Sequence, residues 1–129
     1  MQQNQLFEYA VIRIVPRVER EEFLNVGVIL YCAKQGFLQT LSSLNEKRLS
    51  AFCIDEAIPE LQQHLTAMQR ICAGDKSAGP IALLDSAARF RWLTATRSTV
   101  VQTSKVHPGL CKDPQQALEK LFNQLVLLP

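Results

Sequence analysis

The stretch FEYAVIRIVPRVEREEFLNVGVILYCAKQGFLQTLS, residues 7–42, decides the fold of this chain. It contains three apolar runs of strand length, Phe7–Val15, Phe23–Cys32 and Phe37–Ser42, separated by short polar links. Pro16 ends the first run because proline has no N–H to donate to a sheet. Gly36 can take the positive φ that a tight turn requires. The sequence therefore predicts three strands in an antiparallel meander.

The distribution of apolar residues indicates where the first two strands lie. The first run is apolar on both faces, which predicts a central strand covered on each side. In the second run, alternation predicts that Asn25 and Gly27 share one face. The opposite face is predicted to be one continuous apolar surface of Leu24, Val26, Val28, Leu30 and Cys32.

The remainder of the chain reads mainly as helix. We predict helices over Leu44–Cys53, Pro59–Ala73 and Leu83–Leu93, a fourth strand over Ser98–Ser104 and a Pro/Gly loop over Val106–Lys112. Asp113-Pro114 is a strong helix start, with an acid at the N-cap and proline at the first position. The order β-β-β-α-α-α-β-α predicts an α+β fold: about four strands, largely antiparallel, with helices over one face.

Length and composition limit the possible classes of protein. The 129 residues suit a single domain spanning 1–129, in which we expect residues 1–6 to be a flexible N-terminus. A net charge of +2 does not favour a nucleic-acid binder or a membrane-surface protein. The N-terminus lacks the pattern of a signal peptide, and no apolar run is long enough to span a bilayer, so we expect a cytoplasmic protein.

The four cysteines and the missing motifs narrow the chemistry. The cysteines show no C-x-x-C spacing, and in a reducing compartment we expect thiols rather than disulfides. Neither glycine-rich phosphate motif is present. We therefore predict no cofactor, no metal site and no catalytic residue.

One segment, RFRWLTATRST at residues 89–99, concentrates the functional side chains. It holds three arginines, one tryptophan and four hydroxyls in eleven residues. Guanidinium groups and hydroxyls can bind phosphate or carboxylate, and an indole can stack on a planar group. The structural alternative is a helix-to-strand connection whose arginines are solvated or cap the end of a helix.

Two further polar segments allow both readings. Residues 16–25 carry mixed charges, whose carboxylates near arginines could do acid–base work or which could form a solvated ion-pair surface of little energetic weight. In HPGLC, residues 107–111, a histidine and a cysteine could begin a zinc site or a nucleophile pair, but too few partner residues accompany them. A tight loop before the last helix explains this second segment equally well.

The blocks Tyr9–Val28, Arg89–Val101 and His107–Pro114 resemble those of a bacterial family, domain of unknown function 3037. The resemblance covers nearly the whole chain and implies no activity and no catalytic residues. The family is loosely associated with neighbouring genes for HipA-like protein kinases. That association implies an accessory or antitoxin-like partner of such a kinase.

The functional prediction is a binding or accessory module that interacts with a protein, with an HipA-like kinase as the implied partner. Its predicted surface combines Arg13, Arg17, Arg20, Asn25, Arg91, Trp92, Thr96, Arg97, Ser98 and His107. The alternative is an enzyme or binder acting on a phosphate-bearing ligand such as a nucleotide or nucleic acid. In the enzyme, Glu19, Glu22 and His107 would be the acid–base candidates, and they would have to converge in one concave site.

Overall fold

The computed structural model describes residues 4–52, 57–95 and 99–127. Its strands are β1 (Gln5–Ile14), β2 (Leu24–Cys32), β3 (Phe37–Ser42), β4 (Val101–Thr103) and β5 (His107–Cys111). Its helices are α1 (Glu46–Ala51), α2 (Ile58–Cys72), α3 (Ser86–Leu93) and α4 (Pro114–Leu125). The α+β class and the antiparallel meander of the first three strands are confirmed.

The sheet has the order β3-β2-β1-β4, and β5 also pairs with β1. Every pairing among these strands is antiparallel. The central position predicted for β1 is confirmed, since β2 lies on one side of it and β4 and β5 lie one after the other on the opposite side. β1 begins at Gln5, so it takes Gln5 and Leu6 from the segment expected to be a flexible N-terminus.

The prediction of a loop over Val106–Lys112 is wrong, because β5 occupies most of it. Gly109 lies opposite Phe7, and a Cβ at this glycine would clash with the Phe7 ring. Glycine is therefore needed for the strand to approach the ring. Pro108 is tolerated because β5 is an edge strand, where one N–H in two points away from the sheet.

The continuous apolar face predicted for β2 is also wrong, because a β-bulge interrupts the strand. The register shifts between Ile12 and Arg13 of β1, so that Val26 is an extra residue in β2. A bulge changes which face the following residues occupy. Leu24 and Val26 therefore pack with one core, whereas the alternate residues after the bulge, Val28, Leu30 and Cys32, pack with the other.

The two cores lie on opposite faces of the sheet. The larger one joins the sheet to α1, α2 and α3 through residues such as Leu49, Leu65 and Phe90. The smaller one joins it to α4 through Leu118 and Val126. The prediction that helices cover one face is therefore wrong, and the protein has three layers with the sheet in the middle.

No helix among the described residues is long and apolar enough to cross a membrane.

Candidate functional site

Two of the three polar segments meet at one end of the sheet. The backbone N–H of Val15, just after β1, donates to the carbonyl of Val100, just before β4, at 2.7 Å. The loop that begins at Pro16 and the segment that ends at Thr99 therefore leave the sheet side by side. This end of the sheet carries the side chains from which a binding site could be built.

Arg13 and Asn25 are cross-strand partners on the face covered by α4. The guanidinium of Arg13 stacks over the exposed Phe23 ring at 4.0 Å, and the Asn25 Nδ2 donates to the carbonyl of Leu125 at 3.1 Å. Their Nε and Oδ1 atoms are buried, with no hydrogen-bond partner among the described residues. Both side chains thus join β1, β2 and α4, and Phe23 is the part of this group that faces solvent.

Arg17 and Arg20 line a cavity of about 250 Å³ together with Pro16, Glu22, Ala51 and Phe52. We call it the arginine pocket. The Arg20 Nε donates to Glu22 Oε1, and the Arg20 backbone N–H donates to the Arg17 carbonyl, which closes a short 3-10 turn. Glu21 follows with φ 55°, a left-handed conformation unusual for a residue with a side chain. Sequence reasoning did not predict Phe52 as the far wall, because it belongs to a distant segment.

Arg89 stabilises the fold rather than a ligand. Its Nη1 donates to the carbonyls of Ile71 and Cys72 at 2.9 and 3.0 Å, and its Nη2 donates to Ser86 Oγ at 3.0 Å. It therefore caps the C-terminus of α2, where unpaired carbonyls and the helix dipole favour a cation. For this arginine the structural reading of the sequence holds.

Arg91 and Trp92 lie on the last turn of α3 and face outward. Trp92 is 42% exposed and forms one wall of a cleft of about 170 Å³ between α2 and α3. We call it the tryptophan cleft, and its lining is His64, Ala67, Met68, Ile71, Trp92, Leu93 and Thr99. The sequence predicts a helix over Pro59–Ala73 and gives no sign that Met68 and Ile71 border an open cleft.

The remaining candidates do not join these sites. Thr96, Arg97 and Ser98 lie outside the described residues. His107 pairs with Tyr9, with ring centroids 5.4 Å apart, whereas Glu22 lies beyond the other end of β1. From Tyr9 to the end of β1 at Ile14 is about 17 Å at the usual rise per residue. The structure therefore keeps Glu22 and His107 apart, and Glu19 lies exposed in the turn after β1.

Two thiols of the described residues, those of Cys72 and Cys111, have raised pKa values. Burial raises the pKa of the Cys72 thiol to about 12, even though the nearby Arg89 acts in the opposite direction. Burial also raises the pKa of the Cys111 thiol. No group of three or more His, Cys, Asp or Glu residues is arranged to hold a metal ion in the part of the chain that is described.

The sequence profile of one family, described as "Protein of unknown function (DUF3037)", matches residues 9–126. The match spans most of the chain, so the protein belongs to this family. That membership confirms the resemblance seen in the sequence, and it brings no activity with it. No curated protein and no solved structure matches the chain.

Proposed function

We propose that the protein is a cytoplasmic binding module that docks an acidic segment of a partner protein, anchored by an apolar side chain, in the tryptophan cleft. The observation that carries this proposal is the half-open Trp92 indole above an apolar floor that includes Met68 and Ile71. Large aromatic side chains at the centre of a concave site supply much of the binding energy in protein interfaces. The partner implied by the family resemblance is an HipA-like kinase.

The charge around the cleft supports an acidic partner. Residues 86–99, which run from the start of α3 to Thr99 in the lining of the cleft, contain three arginines and no aspartate or glutamate. Arg91, which is exposed beside Trp92, belongs to this stretch. The middle of α2, residues 61–69, carries no lysine, arginine, aspartate or glutamate and so does not oppose the field of α3. A local excess of positive charge favours acidic partners and increases the rate of their association.

The test is a titration of the purified kinase with wild-type protein and with Trp92→Ala and Arg91→Glu variants. Loss of an interfacial anchor typically costs 2 kcal/mol or more, so we expect Trp92→Ala to weaken binding by roughly thirtyfold. Lys120→Glu, the same charge change on the exposed face of α4, is the matched control and should leave the affinity unchanged. Equal affinity for wild type and Trp92→Ala would remove the tryptophan cleft from the proposal.

A second candidate function is the binding of a phosphate-bearing ligand in the arginine pocket. Arg17 and the terminal amino groups of Arg20 have no ion-pair partner among the described residues, and two guanidinium groups are suited to hold a phosphate. Positive φ at Glu21 supports this candidate, because unusual backbone conformations concentrate at functional sites. Glu22 acts against it by neutralising part of the charge of Arg20.

The second candidate is tested by titrating inorganic phosphate and nucleoside monophosphates while the protein NMR signals of the pocket are followed. Binding that disappears in Arg17→Gln and survives Trp92→Ala would support it. Signals that shift equally in wild type and Arg17→Gln would contradict it.

A further inference from the structure

The strand β3 is the free edge of the sheet among the described residues. The N–H of Ser43 donates to the Val26 carbonyl at 2.8 Å, and this bond fixes which residues of β3 face β2. By the alternation of an antiparallel ladder, residues 37, 39 and 41 bond to β2. The N–H and C=O groups of Leu38, Thr40 and Ser42 therefore point away from the sheet.

The sequence of this edge lacks the residues that normally prevent strand pairing. Its sequence, FLQTLS, contains no proline, no glycine and no charged residue. The opposite edge has such features. There, two residues of β1, Ala10 and Val11, stand opposite the three residues 104–106, and the extra residue makes a bulge between β4 and β5. In addition, Pro108 of β5 has no N–H to offer to a further strand. The β3 edge of the sheet thus has no sequence feature that opposes pairing with a further strand, whereas the opposite edge has two.

A groove of about 290 Å³ runs between the open edge and α2. It is lined by Leu38, Gln39, Thr40, Gln69, Cys72 and Ala73, none of which is charged. Thr40 is 8% exposed, and its Oγ1 atom is buried with no hydrogen-bond partner among the described residues. A buried hydroxyl without a partner is uncommon in native proteins, and it marks a place where a polar group is expected.

We propose that this edge binds an extended, uncharged segment of a partner protein, which joins the sheet beside β3 through main-chain hydrogen bonds to Leu38, Thr40 and Ser42. An edge strand next to a helix is a known geometry for strand addition, in which the main chain gives affinity and alternate side chains give specificity. The uncharged lining favours small apolar or hydroxyl side chains on the residues that face α2.

A second copy of this chain is a poorer occupant of the edge. A stable homodimer buries more than about 1,000 Å² and has an apolar centre. The exposed large hydrophobic residues of the described chain lie elsewhere, on neither β3 nor α2. Two copies that met at β3 would therefore bury mainly polar side chains beside the paired strands.

The experiment selects linear peptides from a random phage-displayed library on the full chain and measures the affinity of each synthetic peptide. Thr40→Pro removes one outward N–H without removing a bond to β2, and it should weaken binding roughly five- to tenfold. Thr40→Ser keeps both the N–H and the hydroxyl, and peptides should bind it within about threefold of wild type. If Thr40→Pro does not fold, Ser42→Pro with Ser42→Ala as its control makes the same comparison.

Amide hydrogen exchange shows where the peptides bind. We expect the amides of Leu38, Thr40 and Ser42 to exchange more slowly in the complex than in the free protein, with Trp92→Ala having no effect. The proposal is overturned if no selected peptide slows these amides. It is also overturned if binding requires Trp92, or if these amides are protected in a dimer of the protein alone.

Discussion

Replacement of Arg89 by methionine should be one of the most destabilising single changes outside the core. The arginine donates three hydrogen bonds, two of them to the last carbonyls of α2. A hydrogen bond from a charged group contributes about 1.5–3 kcal/mol, and a cation at a helix C-terminus adds about 0.5 kcal/mol. Because Arg89 is half-buried, water can replace part of these bonds, and we expect a loss of about 2–3 kcal/mol, well below the sum of the three contributions.

The matched control lies two residues further along the same helix. Arg91→Met removes the same charge from α3, but Arg91 is exposed, and surface changes usually stay within about 0.5 kcal/mol. The assay is urea unfolding followed by circular dichroism, with the denaturant slope compared between variants to check two-state behaviour. Equal midpoints for the two variants would refute the capping role assigned to Arg89.

Three further predictions concern backbone contact, thiol reactivity and a carboxylate. Gly27→Ala should lower the free energy of unfolding by about 1–3 kcal/mol, because its Cβ would stand 2.7 Å from the Leu41 carbonyl oxygen; an unchanged midpoint in urea would contradict this. Cys72, with its thiol pKa raised by burial to about 12, should resist iodoacetamide at pH 8 in native protein and react once unfolded, as read by mass spectrometry. The pKa of the Asp75 carboxyl is lowered from 3.8 to about 2, chiefly by the hydrogen bond from the Ser77 hydroxyl. The ionised carboxylate therefore stabilises the folded state above pH 3.8, and this stabilisation is lost as the pH falls to about 2. An NMR titration should show this value, and Ser77→Ala should raise it; a normal value in wild type would disprove the assignment.

The fold could be predicted largely from local patterns, and the errors in that prediction come from contacts between residues that are distant in sequence. The meander and the helix after Asp113 follow from strand length, turn residues and a capping pattern, which are all local. β5 could not be predicted, because Pro108-Gly109 is typical of a loop unless the Phe7 ring beneath it is known. The bulge at Val26 was missed because it depends on the register with β1.

The candidate site was predictable in residue type and not in arrangement. The arginine-rich segment did contain surface residues, since Arg91 and Trp92 face outward, but Arg89 is occupied at the end of α2. No sequence pattern indicates that carbonyls of residues 71 and 72 need a donor from eighteen residues away. Likewise, a period of 3.6 residues cannot show that Met68 borders an open cleft, because core and cleft wall share one helix face.

The two unequal edges of the sheet also bear on how the protein behaves when it is concentrated. Growth of a fibril by strand pairing needs two competent edges on each molecule, so that every addition leaves a new edge for the next. Here the bulge at residues 104–106 and Pro108 obstruct one edge, so that, among the strands of the described residues, β3 alone can accept a further strand. Accidental pairing between copies would therefore stop at two molecules. The chain can keep one edge strand that is able to pair without forming a polymer through it.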